Sequence, residues 1–418
     1  MRISTSQFYQ ISANSMSKMQ SDLQDQVKYL SAGKQVLTAK DAPIQNISLG
    51  GIKEELRSIE RFETNITQAV NHNNRQEVSL SNTQDVLMQV QDIFIQANNG
   101  AYDDENLKSL SAQLKSNLEQ LVDIANTKNE TGEYIFSGFQ VDQRPFSAGP
   151  DNQVTYLGDN KIAELQISTN IRVTKNTPGD DIFMNIDNSV GDFIPSAIQN
   201  LTPPADPDPE EPYIYVESAK IVDRQAYNAA AMTPNLTFDF TDTDADGVVD
   251  DVTITDGAAV VSHGPVPFVA GQTIAFNGME VELDGNPLPG DQFSLTPQEK
   301  VSVFDTLKSA IDWIDNSIEG TDDPKQLQVD YKYLLTQLDG AFGHITSKRA
   351  EVGITLNKID VQRNVALDLS VMLQSSRGKI EDLDFASAVS LFEQQKMSLQ
   401  ATQQTFKQIE GLSLFNYI

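Results

Sequence analysis

The sequence predicts an α+β protein. Its expected architecture is an elongated antiparallel helical bundle, coiled-coil-like and built from both termini, carrying an inserted, acidic, mostly antiparallel β domain. Three observations predict it. Apolar residues recur every seven positions in both terminal blocks; that period is absent between about residues 140 and 296; and there, short β-forming runs are separated by Gly, Pro, Asn and Asp.

The elements follow in order. Tyr9, Met16, Leu23 and Leu30 stand seven apart with Met19 and Val27 alongside, and Ser31-Ala32-Gly33 stops that helix. A loop with Gly33 and Pro43 leads to a second run from near Ile44, where Ile52, Ile59, Ile66, Leu80, Leu87 and Phe94 share one register. Asn73 takes the register position between Ile66 and Leu80, where a lone polar residue fixes pairing at some cost in stability. More than fifty residues at about 1.5 Å each make a rod of roughly 80 Å. Asn98-Asn99-Gly100 ends it. A third helix begins at Asp103-Asp104-Glu105, acids placed at the positive end of the helix dipole, and Gly132 closes it. YIFSGF (134–139) has the content of a strand reaching a turn.

Between 140 and 296 the strand candidates are QVTYL, AELQI, NLTFDF, DVTIT, QTIAF and MEVEL. Residues 140–299 hold 26 Asp+Glu against 6 Lys+Arg, so most of the excess charge sits here. The Pro-rich stretch 203–212 reads as a semi-rigid connector dividing two β subdomains, and residues 213–232 contain a candidate short helix. After Pro297, Val301, Phe304, Leu307, Ile311, Ile314 and Ile318 make an amphipathic helix. Tyr331, Leu338, Ile345, Val352, Ile359, Ala366 and Leu373 then form the longest register, weakened by Gly340, Gly343 and Gly353 and broken at Ser375-Ser376-Arg377-Gly378. From Gly378, Phe385, Phe392, Leu399 and Phe406 recur every seven residues, widened by Val389 and Ile409, as one helix to Gly411. A stripe so narrow needs partners. The expected divisions are a 1–43 assembly segment, mobile in the monomer; rod halves at 44–139 and 297–377; the β domain at 140–296; and a 378–418 assembly helix.

Composition narrows the function. No cysteine is present among 418 residues, which removes disulfides, thiolate zinc sites and thiol nucleophiles. A net charge of −29 argues against nucleic acid or an anionic membrane as partner. No eighteen-residue apolar run exists, and the start lacks the apolar core of a Sec signal peptide. His72, His263 and His344 lack metal-site spacing, and no carboxylate pair stands with a His or a phosphate loop, so the chain is expected not to be an enzyme. One motif invites a cation. In TDTDADGVVDDV, Asp242, Asp244, Asp246 and Asp250 occupy positions one, three, five and nine of a calcium loop with Gly247 at the turn, but Thr253 stands where an EF-hand needs Glu. The readings are a calcium-binding hairpin loop and a solvated acidic turn; otherwise no cofactor is expected.

Both ends carry a resemblance. SMSKMQSDLQDQVKYLSAGKQVLTAKDAP resembles the N-terminus of the flagellin family, and GKIEDLDFASAVSLFEQQKMSLQATQQTFKQIEGLSLFNYI, with its signature at Ile380 to Ala386, resembles the matching C-terminus. YIFSGFQVDQRPFS, FNGMEVELDGNPLPGDQFSLTP and the ending Ser413 to Ile418 are more similar to the hook-associated branch than to filament-forming members. The resemblance covers roughly 1–175 and 270–418. It implies a structural protein of the bacterial flagellum, exported unfolded through the flagellar type III apparatus. Such a protein forms an adaptor ring at the hook–filament junction, joining the first hook-associated protein to flagellin. It implies that Tyr9, Met16, Met19, Leu23, Leu30, Phe385, Val389, Phe392, Leu399 and Phe406 bind axial partners and other copies, with Gly33, Asp382 and Asp384 at the signature loops. It also implies that an export chaperone takes Leu399, Phe406, Ile409, Leu412 and Leu414. The alternatives are a filament flagellin and, further off, a calcium-binding adhesin-like surface protein.

Overall fold

Among the described residues, three helices precede a region of fourteen short strands with one short helix among them, and three helices follow it. The computed structural model describes residues 5–100, 102–198, 214–258, 261–285, 287–319 and 324–411. The helices are α1 (Thr5–Ala32), α2 (Pro43–Ala97), α3 (Asp104–Ala125), α4 (Arg224–Ala230), α5 (Val303–Glu319), α6 (Pro324–Glu381) and α7 (Phe385–Gly411). The strands are β1 (Phe146–Ala148), β2 (Val154–Tyr156), β3 (Glu164–Gln166), β4 (Arg172–Thr174), β5 (Ile186–Asp187), β6 (Phe193–Ile198) and β7 (Tyr215–Ile221). They continue as β8 (Leu236–Thr241), β9 (Asp251–Thr255), β10 (Val261–Pro267), β11 (Gln272–Phe276), β12 (Met279–Asp284), β13 (Gln292–Pro297) and β14 (Lys300–Val301). The helical termini and central antiparallel β region expected from the repeat are the architecture observed.

The chain divides into two compact units. The first takes Met1–Ile66, Ile167–Asn170 and Asp360–Ile418; the second takes Thr67–Gln166 and Ile171–Ile359. Their charges differ sharply: the first holds 13 Lys+Arg against 14 Asp+Glu, the second 17 against 45.

In the second unit one core is helical and aromatic. Leu80, Leu87 and Phe94 of α2 pack with Leu114 and Leu121 of α3, Phe304 and Ile311 of α5, and Leu338 and Ile345 of α6. Phe183 meets Phe136, Phe146 and Phe304 at centroid distances of 5.4, 5.5 and 5.7 Å. The other core lies in the β region, where a five-stranded sheet (β10-β9-β8-β13-β6) and a three-stranded sheet (β11-β12-β7) bury Phe238, Phe240, Phe293, Val281 and Leu283. Alternate burial along β8 and β12 is the period-two pattern of strands with one covered face.

Several local expectations need correction. YIFSGF is a turn with a single bridge, Lys128 to Tyr134, because Gly138 takes a left-handed conformation (φ +68) against the Asp159 backbone. The third helix stops at Ala125, ahead of Gly132, because Asn126 turns its side chain to the Phe146 backbone, accepting from its N–H and donating to its C=O. Residues 215–221 form a strand, and the helix there is confined to α4. Asp223 caps α4 by accepting from the Gln225 and Ala226 N–H groups. Asn73 pairs no helices: its amide donates to Ala69 in its own helix and to Thr174 in β4. The break expected at Ser375–Gly378 is absent. The α6 helix runs through it to Glu381, and α7 starts afresh at Phe385.

Two of the α6 glycines separate cleanly. A Cβ on Gly340 would strike the Ser189 hydroxyl, whereas one on Gly343 would meet nothing. Gly343→Ala is therefore expected to stabilise by up to about 1 kcal/mol through helix propensity. Gly340→Ala is expected to destabilise, since overpacking costs about 1–3 kcal/mol. Denaturant midpoints of the two variants check both signs.

Candidate functional site

The first unit brings the two chain ends together. The α1 and α7 helices pair, with the Tyr9 and Phe406 rings edge to face at 5.5 Å and Thr402 Oγ1 against the Met19 sulfur at 3.8 Å. Met16, Met19, Leu23 and Leu30 are half-buried, as are Phe392, Leu399 and Phe406, so these stripes face one another. Phe385 and Val389 behave otherwise. They are about half exposed, and Ala388 takes the buried position between them. A cavity of about 280 Å³ between the two helices is lined by Met19, Asp22, Leu391, Gln394, Gln395 and Ser398. Gln395 Oε1 is buried there without a hydrogen-bond donor, a costly state for a polar atom. The Ile409 side chain, Leu412 and Leu414 lie outside the described residues.

A clasp joins the loop after α1 to the segment between α6 and α7. Gly33 sits at φ +67, a turn only glycine adopts without strain, and its carbonyl accepts from Leu383 N–H at 3.1 Å. Gln35 N–H donates to the Glu381 carbonyl at 2.9 Å, and the Gln35 amide donates to the Lys379 and Ile380 carbonyls. Lys34 bridges to Asp382 through backbone. Asp384 caps α7 by accepting from Ala386 and Ser387 N–H, and the Ser387 hydroxyl, followed by these backbone donors, lowers its pKa.

At the clasp centre lies Glu381, a residue that periodicity did not single out. Its carboxylate is 7% exposed and meets Lys34 Nζ at 2.6 Å, Lys53 Nζ at 2.9 Å and Arg377 Nε at 3.9 Å. The Lys34 hydrogen bond, reinforced by Lys53, holds the carboxyl below the usual carboxylate range even though burial acts the other way. Its only sequence signal was position: it stands between Ile380 and Asp382 in the signature.

In the second unit the acidic loop closes on itself. Oxygens of Asp242, Asp244 and Asp250 lie within 4.8 Å of one another; Asp246 is not in the group. Asp242 accepts from Ala245 and Gly247 N–H at 2.7 and 2.8 Å, and Asp250 from the Thr243 N–H and hydroxyl at 2.9 and 2.7 Å. These bonds lower both pKa values, while the neighbouring Asp246 charge raises that of Asp244. Backbone donors favour the ionised form of Asp242 and Asp250, and three converging carboxylates suit a hard cation. Calcium here stands as an expectation from the sequence. Titration calorimetry checks it: heat at one site that Asp242→Asn removes, against a flat titration. Among the described residues no other His or carboxylate group gathers for a metal, and no helix is long and apolar enough to cross a membrane.

Comparison with known proteins gives matches at both ends. The family described as the bacterial flagellin N-terminal helical region matches residues 3–141, and that described as the bacterial flagellin C-terminal helical region matches 335–418. Flagellar hook-associated protein 3 of Escherichia coli (strain K12) is 27% identical over 189 residues, an alignment spanning 44% of this chain and 58% of that relative's length. Its counterpart in Salmonella typhimurium is 21% identical over 418 residues, 99% of each chain. The crystal structure of flagellar hook associated protein-3 from Legionella pneumophila is 28% identical with a TM-score of 0.65, covering 79% of this chain and 98% of that one. Phase 1 flagellin of Salmonella naestved aligns over only 38% of this chain and 31% of its own length, at 23% identity.

Proposed function

The chain belongs to the flagellin family, and from that premise we propose that it is a structural protein of the flagellum, an adaptor ring at the junction between hook and filament. The observation that carries this reading is the end-to-end likeness to hook-associated protein 3, where phase 1 flagellin aligns over 31% of its own length. Filament flagellin is the second reading. The geometry supports an assembling protein: the paired ends present Phe385, Val389, Leu391 and Met397 to solvent on α7 and Ile11 and Val27 on α1.

On this reading the partners are the first hook-associated protein on one side, flagellin on the other, and copies of the chain around the ring. Function lies in these surfaces, and no catalytic step is assigned. The protein leaves the cell by the flagellar export route, with its end segments mobile until they assemble. An export chaperone would take the α7 stripe. Leu399 and Phe406 face α1 in the paired state, so a chaperone holding them must act before α1 and α7 pair.

Deletion of the coding gene tests the proposal. Cells are expected to keep hooks and to shed filament into the medium; normal attached filaments would overturn it. Electron microscopy of the concentrated protein separates the two readings, since spontaneous micrometre filaments would make it a flagellin.

A further inference from the structure

We propose that the groove between α5 and α6 in the second unit binds a linear aliphatic diamine or polyamine, with its methylene chain on an apolar floor and its ammonium groups on carboxylates of α5. The site uses none of the residues assigned to assembly and does not depend on the junction reading.

The groove holds a cavity of about 300 Å³, enough for a small ligand. Val301, Trp313 and Leu334 line it and are each 6% exposed, so its floor is apolar. The wall on α5 is polar. Asp305, Ser309, Asp312 and Asn316 line the cavity and recur at helical spacing along one face. Asp305 and Asp312 stand two turns apart, about 10.5 Å along the axis. Asp330 adds a third carboxylate from α6, and no basic residue lines the cavity.

Hydrogen bonding selects the occupant. Four donors in the lining already give to protein oxygens: Gln298 to the Lys300 carbonyl, Thr306 to the Ser302 carbonyl, Trp313 Nε1 to the Leu327 carbonyl, and Gln337 to Asn188 Oδ1. Acceptors are left over. The Asp305 carboxylate has no hydrogen-bond donor among the described residues, and partial burial raises its pKa although Lys308 acts the other way. Asp312 pairs with Lys308 through Oδ2, which leaves Oδ1. A ligand that fits must therefore donate and be positive. The three carboxylates do not converge as those of Asp242, Asp244 and Asp250 do, so one metal ion cannot be held by all of them. Charges separated along the groove over an apolar floor match ammonium groups separated by methylenes.

Trp313 is the only tryptophan in the chain, so its emission reports on this cavity. Titrating the full-length protein with spermidine should change that emission saturably. Hexamethylenediamine should bind roughly tenfold tighter than hexylamine, which lacks one charged contact, and hexanediol should give no response. Asp305→Asn with Asp312→Asn should weaken spermidine binding roughly tenfold or more. Ser309→Phe supplies a second variant: it fills the groove, leaves every charge in place, and should abolish the response. No emission change with spermidine, or unchanged affinity in either variant, would overturn the site. An equal response to magnesium chloride at matched ionic strength would also overturn it, because an acidic surface attracts any cation.

Discussion

Phe183→Ala is expected to destabilise the second unit by about 3–5 kcal/mol, the range for emptying a fully buried aromatic site. Phe183 is 0% exposed and touches three other phenylalanines, drawn from the 134–139 turn, β1 and α5. The short π-helical turn at Asp180–Met184 aims it inward. Removing the ring strips edge-to-face partners from Phe136 and Phe146 together, and rigid neighbours on several elements cannot all move to fill the hole. Thermal melting should fall by on the order of 10 °C. Val78→Ala, at an exposed position on α2, should move it by about a degree or less. Equal shifts for the two variants would contradict the assignment of this core.

Glu381→Ala should release the clasp. The carboxylate accepts from Lys34 and Lys53 with Arg377 nearby, and losing a partly buried charge-assisted network costs about 1–3 kcal/mol locally. The readout is amide hydrogen exchange at Gln35 and Leu383, whose N–H groups cross between the two segments. Exchange should quicken by roughly 10–100-fold, with the second unit unaffected. The same residue sets a pH dependence. Because the folded pKa is depressed below the unfolded value, the contribution is fully present above the ordinary glutamate pKa, about 4.3. It is lost as pH falls through the lowered value. Protection at Gln35 in the native protein should thus drop on acidification below about pH 4. In Glu381→Gln it should be weaker and nearly flat across that window.

The helices were legible in the sequence because a seven-residue stripe is local information. Tyr9 to Leu30, Ile52 to Phe94 and Phe392 to Phe406 each lie on the helix that their spacing indicates. Six strand candidates lie on β2, β3, β8, β9, β11 and β12 for the same reason. What could not be read depends on distant partners. Ser375 to Gly378 has the propensities of a break, yet the helix continues as far as the Glu381 clasp. YIFSGF has strand content, but Phe136 is taken into the aromatic core and the segment's pairing stops at the bridge from Tyr134 to Lys128. Glu381 itself carries no periodic signal, because its two closest cations, Lys34 and Lys53, come from the other end of the chain. Phe385 and Val389 share the spacing of Phe392 and Leu399 but are half exposed, since spacing does not say where a partner helix ends.

The pairing of α1 with α7 has a consequence in time. Met19 and Thr402 touch across a sequence separation of 383 residues, so the first unit cannot close until nearly the whole chain has left the ribosome. The other unit, whose contacts reach 272 residues between Arg349 and Glu77 and end at Ile359, is complete sooner. A chain that emerges from one end to the other thus completes its end-to-end pairing last.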